Sequence, residues 1–271
     1  SKQQFRLELI TSSEGMHEGA LCLALDVSPD GNRIVSCYSN GYVAIHTLVL
    51  IVTEQDERNM TLHQTHAWLA HTYSELPQRP GAEVWTTCFV GPASSQQTDD
   101  EGAATTCVLS GGDDGRLKLW TFSFDDPKND DDDDDDTSNG EPPHETVLPL
   151  HHAGADTDDE VTGVTCVSRH PTQSHLVVLG NYGGDIYLYN HASSSLTTTM
   201  TKRQDPALLY RVGHGIWRLK WHPTAAAHQP PSQDNESSSS RLLLVAAMHG
   251  GCRILSLPPQ INEQDNTSSS H

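Results

Sequence analysis

The chain has 271 residues, and its 36 acidic residues outnumber its 16 Lys and Arg residues, which gives a formal net charge of −20. This balance disfavours nucleic acid as a partner, because no basic stripe is available to neutralise phosphates. No apolar run is long enough to span a bilayer, and no charged start precedes an apolar signal core, so we expect a cytoplasmic protein without a membrane span.

Four segments repeat one pattern of three alternating strands, with a first turn often marked by Pro and a second turn containing Gly. In the first segment the turns are SPDG at 28–31 and SNG at 39–41. Each strand presents apolar side chains to neighbouring segments, so no repeat buries its own faces. The four segments lie near residues 21–48, 84–124, 161–192 and 210–257.

Polar inserts separate the repeats. Such stretches cannot bury enough apolar surface to offset their ordering entropy, so we expect flexible loops. An uninterrupted Asp run at 130–136 is typical of a solvated loop, with electrostatic steering of a basic protein as the alternative. The inserts are residues 91–104, 125–145 and 224–240, and a disordered tail is expected at 258–271.

Several kinds of chemistry have no motif in the chain. GxSxG, the phosphate-binding loop and the dinucleotide fingerprint are absent, so no cofactor is expected. HExxH is also absent, and the adjacent His151 and His152 would point to opposite faces of a strand, so no metal site is predicted. The cysteines form no CxxC pair and are typical of small buried side chains in a reducing compartment. They are Cys22, Cys37, Cys88, Cys107, Cys166 and Cys252.

If the repeats close into a ring, one set of their loops gathers at a rim around a central channel, so residues distant in sequence meet there. A His close to a carboxylate at this rim would act as general base toward water or a hydroxyl. Side chains alternate along WRLKWH at 217–222, so only one set of them points to the channel. The rim candidates are His71, Glu83, Trp85, Asp113, Asp114, Tyr182, His214, Trp217, His222 and His249.

The repeats resemble WD repeats, because SGGDDG at 110–115 is followed by alternating apolar residues that end in Trp120. The predicted fold is therefore all-β, a WD-repeat β-propeller over residues 1–257, with about four blades visible of about seven in a closed ring. FRLELI at 5–10 would serve as the outer strand of another blade, so we expect a segment of a longer propeller.

The fourth repeat carries a more specific resemblance. Its runs GHGIWRLKWHP at 213–223 and VAAMHGGCRIL at 245–255 are similar to the WD-repeat diphthine methyl ester hydrolase family of the diphthamide pathway. Ordered matches extend backward through LVVLGNYGGDIYLYN at 176–190, VLSGGDDGRLKLW at 108–120 and WLAH at 68–71. The resemblance covers residues 21–257 apart from the inserts.

This resemblance implies hydrolysis of the methyl ester of diphthine on translation elongation factor 2, with release of methanol and without a cofactor. The reaction needs an activated water or hydroxyl and a stabilised oxyanion. The implied base is His249 or His222, oriented by Asp113 or Asp114. Aromatic side chains would form a cation-π cage for the trimethylammonium group, and Arg218 or Lys220 would hold an anion. The substrate-binding candidates are His71, Trp85, Tyr182, Trp217, Arg218 and Lys220.

Structural interpretations compete with these roles. His71 stands where a WD repeat places a His that joins a hydrogen-bonded network with the hairpin Asp, which would make Asp113 or Asp114 its structural partner. Trp85 and Trp217 would then serve in packing. His249 replaces the usual hairpin Asp, so it does not supply the same fixed acceptor. The alternative function is a non-enzymatic WD-repeat interaction scaffold, whose rim binds a partner without chemistry.

Overall fold

The computed structural model describes most of the repeats and little of the inserts between them. The residues described are 19–52, 58–73, 81–91, 105–123, 143–150, 162–191, 205–222 and 241–257. These residues form fifteen β-strands in four antiparallel sheets. The predicted inserts, including the Asp run at 130–136, lie almost entirely outside the described residues, as does the tail at 258–271.

The four sheets follow one another along the chain, and we call them blades 1 to 4. Blade 1 consists of β1 (Cys22–Val27), β2 (Arg33–Tyr38), β3 (Tyr42–Val52) and β4 (Arg58–Leu69). Blade 2 consists of β5 (Val84–Val90), β6 (Thr105–Gly112), β7 (Leu117–Ser123) and β8 (His144–Leu148). Blade 3 consists of β9 (Val164–Arg169), β10 (Leu176–Asn181), β11 (Asp185–Asn190) and β12 (Ala207–Arg211). Blade 4, as described, consists of β13 (Ile216–Trp221), β14 (Arg241–Ala247) and β15 (Gly251–Leu257).

The strand bounds differ from the predicted repeats at the fourth strands. In blades 1 to 3 a fourth strand, β4, β8 or β12, lies beyond the three strands that the sequence pattern predicts. β8 begins at His144, inside the predicted insert 125–145, and β12 contains Tyr210 and Arg211, which the sequence pattern places in the fourth repeat. These two strands are short and largely exposed, so their sequences lack the apolar alternation that marks the other strands.

The blades share a central channel. Their first strands, β1, β5, β9 and β13, contact one another in that order and line one cavity. Three buried clusters fill the layers between neighbouring blades, and each takes side chains from both of the sheets that it joins. Phe89, Ile45 and Tyr187 are among the largest side chains that are fully buried there. Burial of each such side chain stabilises the fold by about 1.5–3 kcal/mol. The predicted all-β propeller arrangement is confirmed.

The hairpins between the second and third strands all turn toward one edge of the propeller. In blades 1 to 3 the turn ends at a Gly with positive φ, at Gly41 (91°), Gly115 (68°) and Gly184 (86°). A Cβ on Gly184 would also lie 2.7 Å from the backbone N of His214, so no larger residue fits there. We call this edge the upper rim and the opposite edge the lower rim. The upper rim comprises residues 39–41, 71–73, 113–115, 182–184, 213–215 and 248–250.

The cysteines are all free thiols. Cys37, Cys88, Cys107 and Cys166 are buried, and burial raises the pKa of Cys166 to about 11, so this thiol stays protonated at neutral pH. The prediction of buried cysteines is wrong for two of them. Cys22 and Cys252 are exposed because they lie on strands of the first and last blades that present largely exposed residues.

No helix in the described residues is long and apolar enough to cross a membrane.

Candidate functional site

Blade 2 holds a buried network around His71. Trp120 Nε1–H donates to Ser110 Oγ at 2.8 Å, and Ser110 Oγ lies 2.8 Å from His71 Nε2. Since the serine oxygen accepts from the indole, its hydroxyl proton is free to point at Nε2. His71 Nδ1–H then donates to Asp114 Oδ1 at 2.7 Å. The contacts therefore assign one tautomer to His71, with the proton on Nδ1.

This network has the connectivity of a Ser-His-Asp triad, but it is closed to substrate. His71 and Ser110 are each 0% exposed, and the Asp114 side chain is 4% exposed. Burial lowers the pKa of His71, and the hydrogen bond and charge of Asp114 offset part of that shift. Both ring nitrogens of the neutral imidazole have partners, and only Asp114 Oδ2 is buried without one among the described residues. His71 therefore serves as a fixed link, so the structure favours the structural interpretation of His71 and Asp114.

Asp113, the neighbour of Asp114, faces the opposite way. Its Oδ1 accepts from Trp85 Nε1–H at 2.6 Å, and its Oδ2 accepts from the Tyr73 hydroxyl at 3.3 Å. The two adjacent carboxylates therefore have separate tasks, one inside the blade and one at the upper rim. Tyr73 was not a candidate from the sequence, where only its position two residues after His71 marks it.

Three aromatic side chains meet beside Asp113, and we call them the rim aromatic cluster. The Trp85 ring centroid lies 6.4 Å from that of Tyr182 at an interplanar angle of 87°. The same ring lies 6.3 Å from that of Trp217 at 58°. Tyr182 is 36% exposed and Trp217 is 43% exposed, so the cluster has faces open to solvent. The members come from blades 2, 3 and 4, which explains why no single sequence motif contains all three.

The surroundings of the cluster are electronegative. The pKa of Tyr182 is raised by burial and further by the negative charges of Asp113 and Glu83. Gly163 allows this close approach, because a Cβ there would lie 3.1 Å from the Tyr182 ring and 3.2 Å from Asp113 Oδ1. Aromatic faces backed by carboxylates attract an organic cation, which is held within about 6 Å of a ring centroid. The cluster thus suits a methylated ammonium group.

His249 lies at the same rim, in the middle of the turn 248–250, as Asp114 lies in the middle of 113–115. It is exposed, in contrast to Asp114. Met248 N–H donates to Gly215 O at 2.8 Å, and a Cβ on Gly215 would lie 3.0 Å from Tyr182 O. These approaches place the blade 4 turn next to the turn that carries Tyr182.

His222 and His249 are at opposite ends of blade 4. His222 N–H donates to Leu242 O at 2.9 Å, and the preceding Trp221 donates from Nε1 to Ser168 O at 3.1 Å, both at the lower rim. β13 rises about 3.3 Å per residue, so His222 lies about 17 Å along the strand from Trp217. The prediction that His222 shares the rim with Asp113 and His249 is wrong because the full length of β13 separates them.

The two basic candidates follow Trp217 down the channel. Arg218 Cζ lies 5.2 Å from the Trp217 ring centroid, and Arg218 Nη1–H donates to Trp217 O at 3.1 Å. Arg218 therefore stays close to the rim aromatic cluster. Lys220 is exposed and lines the channel further down. Within the part of the chain that the structure describes, no group of three or more His, Cys, Asp or Glu residues is placed to hold a metal ion.

The chain is similar to one family model over part of its length and to a curated protein over most of it. Residues 10–46 match the family model described as WD domain, G-beta repeat. A curated protein of Dictyostelium discoideum named "Diphthine methyltransferase homolog" is 28% identical over 256 residues. The match covers 94% of this chain and 52% of the relative, so the chain spans about half the length of that protein. This similarity confirms the resemblance predicted from the fourth repeat.

Solved structures are similar at the level of the fold. The structure titled "Structure of ctPRC2 in complex with H3K27me3 and H3K27M" has a TM-score of 0.52 at 11% identity, covering 88% of this chain and 37% of that one. The crystal structure of the computationally designed Ika4 protein has a TM-score of 0.43 at 17% identity, covering 93% of this chain and 99% of that one. The similarity to the first structure, at 11% identity, supports the propeller fold alone. The TM-score of the second, 0.43, is too low to support a common fold.

Proposed function

We propose that the upper rim binds methylated diphthine on translation elongation factor 2 and that the chain hydrolyses its methyl ester, releasing methanol. The observation that carries the proposal is the rim aromatic cluster beside Asp113 and Glu83. It offers what a trimethylammonium group requires, namely ring faces and negative charge at a partly open surface. The relative named for diphthine supports the same substrate class.

Binding of the ammonium group would hold the ester among polar side chains of the same rim. Trp85 is held by its hydrogen bond to Asp113, so this ring is fixed before the substrate arrives. Trp217 and Tyr182 would close around the cation from blades 4 and 3. A preformed cage of this kind loses little conformational entropy on binding, which leaves more of the interaction energy for affinity.

Hydrolysis needs a base and an oxyanion partner within reach of that cage. In the proposed step, His249 takes a proton from water, and the water oxygen bonds to the ester carbon. Arg218, beside Trp217, would stabilise the tetrahedral oxyanion. Collapse of this intermediate breaks the bond to the methoxy oxygen, which takes the proton from His249 and leaves as methanol. Asp113 acts as a positioning residue through Trp85.

The test compares two histidines of the same blade. Purified protein is incubated with elongation factor 2 carrying methylated diphthine, and intact mass is followed for loss of one methyl group. His249→Ala should lower the rate by about two orders of magnitude or more, the usual contribution of a general base. His222→Ala, a matched change at the lower rim, should keep the wild-type rate. Equal rates for all three proteins would remove His249 from the mechanism.

The same assay separates the proposed hydrolysis from two other activities. A gain of one methyl group in the presence of a methyl donor would favour the transferase activity that the name of the relative denotes. Retention of the methyl group with tight binding would favour the alternative function, a WD-repeat scaffold that recognises the modified residue without changing it. The exposed cluster supports this alternative too, because the only Ser-His-Asp arrangement given by the described contacts is buried.

A further inference from the structure

A cavity of about 370 Å³ lies in the central channel, between the inner strands of the four blades. Its volume is within the range of about 300–1,000 Å³ that is usual for small-molecule sites. The charged side chains that line it are three cations and one carboxylate, in a chain whose net charge is −20. They are Arg169 of β9, Arg218 and Lys220 of β13, and Asp26 of β1.

Asp26 neutralises only part of the positive charge of this cavity. Its Oδ2 accepts the backbone N–H of Phe89 at 2.9 Å, which already uses part of its capacity. The same oxygen lies 3.6 Å from Arg169 Nη2, a separation longer than that of a charge-assisted hydrogen bond. One carboxylate, shared in this way, faces three positive charges, so the lower channel has a positive excess.

The cations also have unused donors. Arg169 Nη2–H donates to Val27 O at 3.1 Å, but Arg169 Nη1 is buried without an acceptor among the described residues. A buried donor left unpaired costs about 1–3 kcal/mol, which a ligand oxygen would offset. Lys220 has no hydrogen bond or ion pair in the described ranges, so its ammonium group is available to the channel.

We propose that this cavity is an oxyanion site that binds a phosphoryl group, either as inorganic phosphate or as part of a small phosphate ester. Two guanidinium groups and one ammonium group from two neighbouring blades line the space. A tetrahedral dianion offers acceptors in several directions at once. Guanidinium groups also match phosphate oxygens in a bidentate way. Arg218 connects this cavity with Trp217 of the rim aromatic cluster. The other two cations, Arg169 and Lys220, take no part in the proposed hydrolysis, so the proposal stands without the hydrolase activity.

Isothermal titration of the intact chain with inorganic phosphate tests the site, with chloride at equal ionic strength as the reference. We expect saturable binding of one phosphate per chain. Lys220→Met should weaken it about tenfold or more, which is the value of a hydrogen bond to a charged group. Arg116→Met, which removes one exposed cation from the blade 2 hairpin, should leave the affinity unchanged.

Lys220→Met is the decisive variant because it breaks no hydrogen bond or ion pair within the described ranges, and circular dichroism would verify its fold. Arg169→Met should weaken phosphate binding as strongly as Lys220→Met does, although it also loses the hydrogen bond to Val27 O. Titration with glycerol phosphate tests whether the site accepts a phosphate ester, and titration with acetate tests whether it accepts carboxylates. The proposal is overturned by the absence of saturable phosphate binding, by equal weakening in Arg116→Met, or by acetate binding as tightly as phosphate.

Discussion

Blades 2 and 4 place similar turns at the upper rim and use them in opposite ways. In blade 2 the middle residue, Asp114, points inward and accepts from a fully buried His71. In blade 4 the middle residue is His249, and it is exposed. The network of blade 2 pairs both nitrogens of His71 internally. The turn of blade 4 instead exposes an imidazole next to the turn that carries Tyr182. A His at the position of the structural Asp therefore leaves this turn of blade 4 with an exposed side chain.

Blade 1 is intermediate between these two blades. By strand register, Ser36 and His46 take the places of Ser110 and Trp120 of blade 2. Ser36 Oγ and His46 Nε2 are 3.0 Å apart and buried, so part of the network persists with different residues. Burial lowers the pKa of His46, as it does that of His71. Blade 1 thus keeps a structural pair without the hairpin carboxylate.

The largest effect should come from breaking the network of blade 2. Asp114→Ala leaves the Nδ1–H of buried His71 without its acceptor, so we expect the free energy of unfolding to fall by about 3 kcal/mol. His249→Ala, at the equivalent place in blade 4, should change it by less than about 0.5 kcal/mol. Urea denaturation monitored by tryptophan fluorescence measures both. Similar losses in the two variants would contradict the distinction between the blades.

A smaller effect is expected on the exposed side of the comparison. Trp217→Ala removes one wall of the rim aromatic cluster and should weaken tetramethylammonium binding about fivefold to thirtyfold, the range of one cation-π contact. Trp221→Phe, at the lower rim of the same strand, is the control and should bind normally. Titration followed by NMR line shifts gives the affinities. If the two variants bind alike, the cation does not occupy the cluster.

The smallest effect is the pH dependence of stability that the buried histidines cause. The folded pKa of His71 and of His46 lies below the ordinary value of 6.5 because burial disfavours the charged ring. Each group therefore contributes stability that is fully present above the unfolded pKa and is lost as pH falls through the folded pKa. The urea concentration at the midpoint of unfolding should decrease as the pH is lowered from 7.5 to 5.5. It should decrease less steeply in His46→Gln. A midpoint that rises toward pH 5.5 would reverse the expected sign.

The repeat pattern allowed the fold to be predicted without coordinates. Alternating apolar residues, Pro turns and Gly turns marked three strands in each blade, and the fourth repeat carried the resemblance. The strands β8 and β12 were not predicted, because they are short, exposed and separated from their blades by polar stretches. Arg169 was not predicted as a channel residue either, since nothing in its local sequence shows that it lines a channel.

The sequence by itself determined which residue types were available at the rim: the aromatic side chains, the paired carboxylates and the unusual His249. It did not separate Asp113 from Asp114, because adjacent residues in a turn have the same local pattern. Only the tertiary structure decided that Asp114 closes a buried network while Asp113 holds Trp85. It also placed His222 and His249 at opposite rims, because β14, a strand of seven residues, lies between them and carries the chain from one rim to the other.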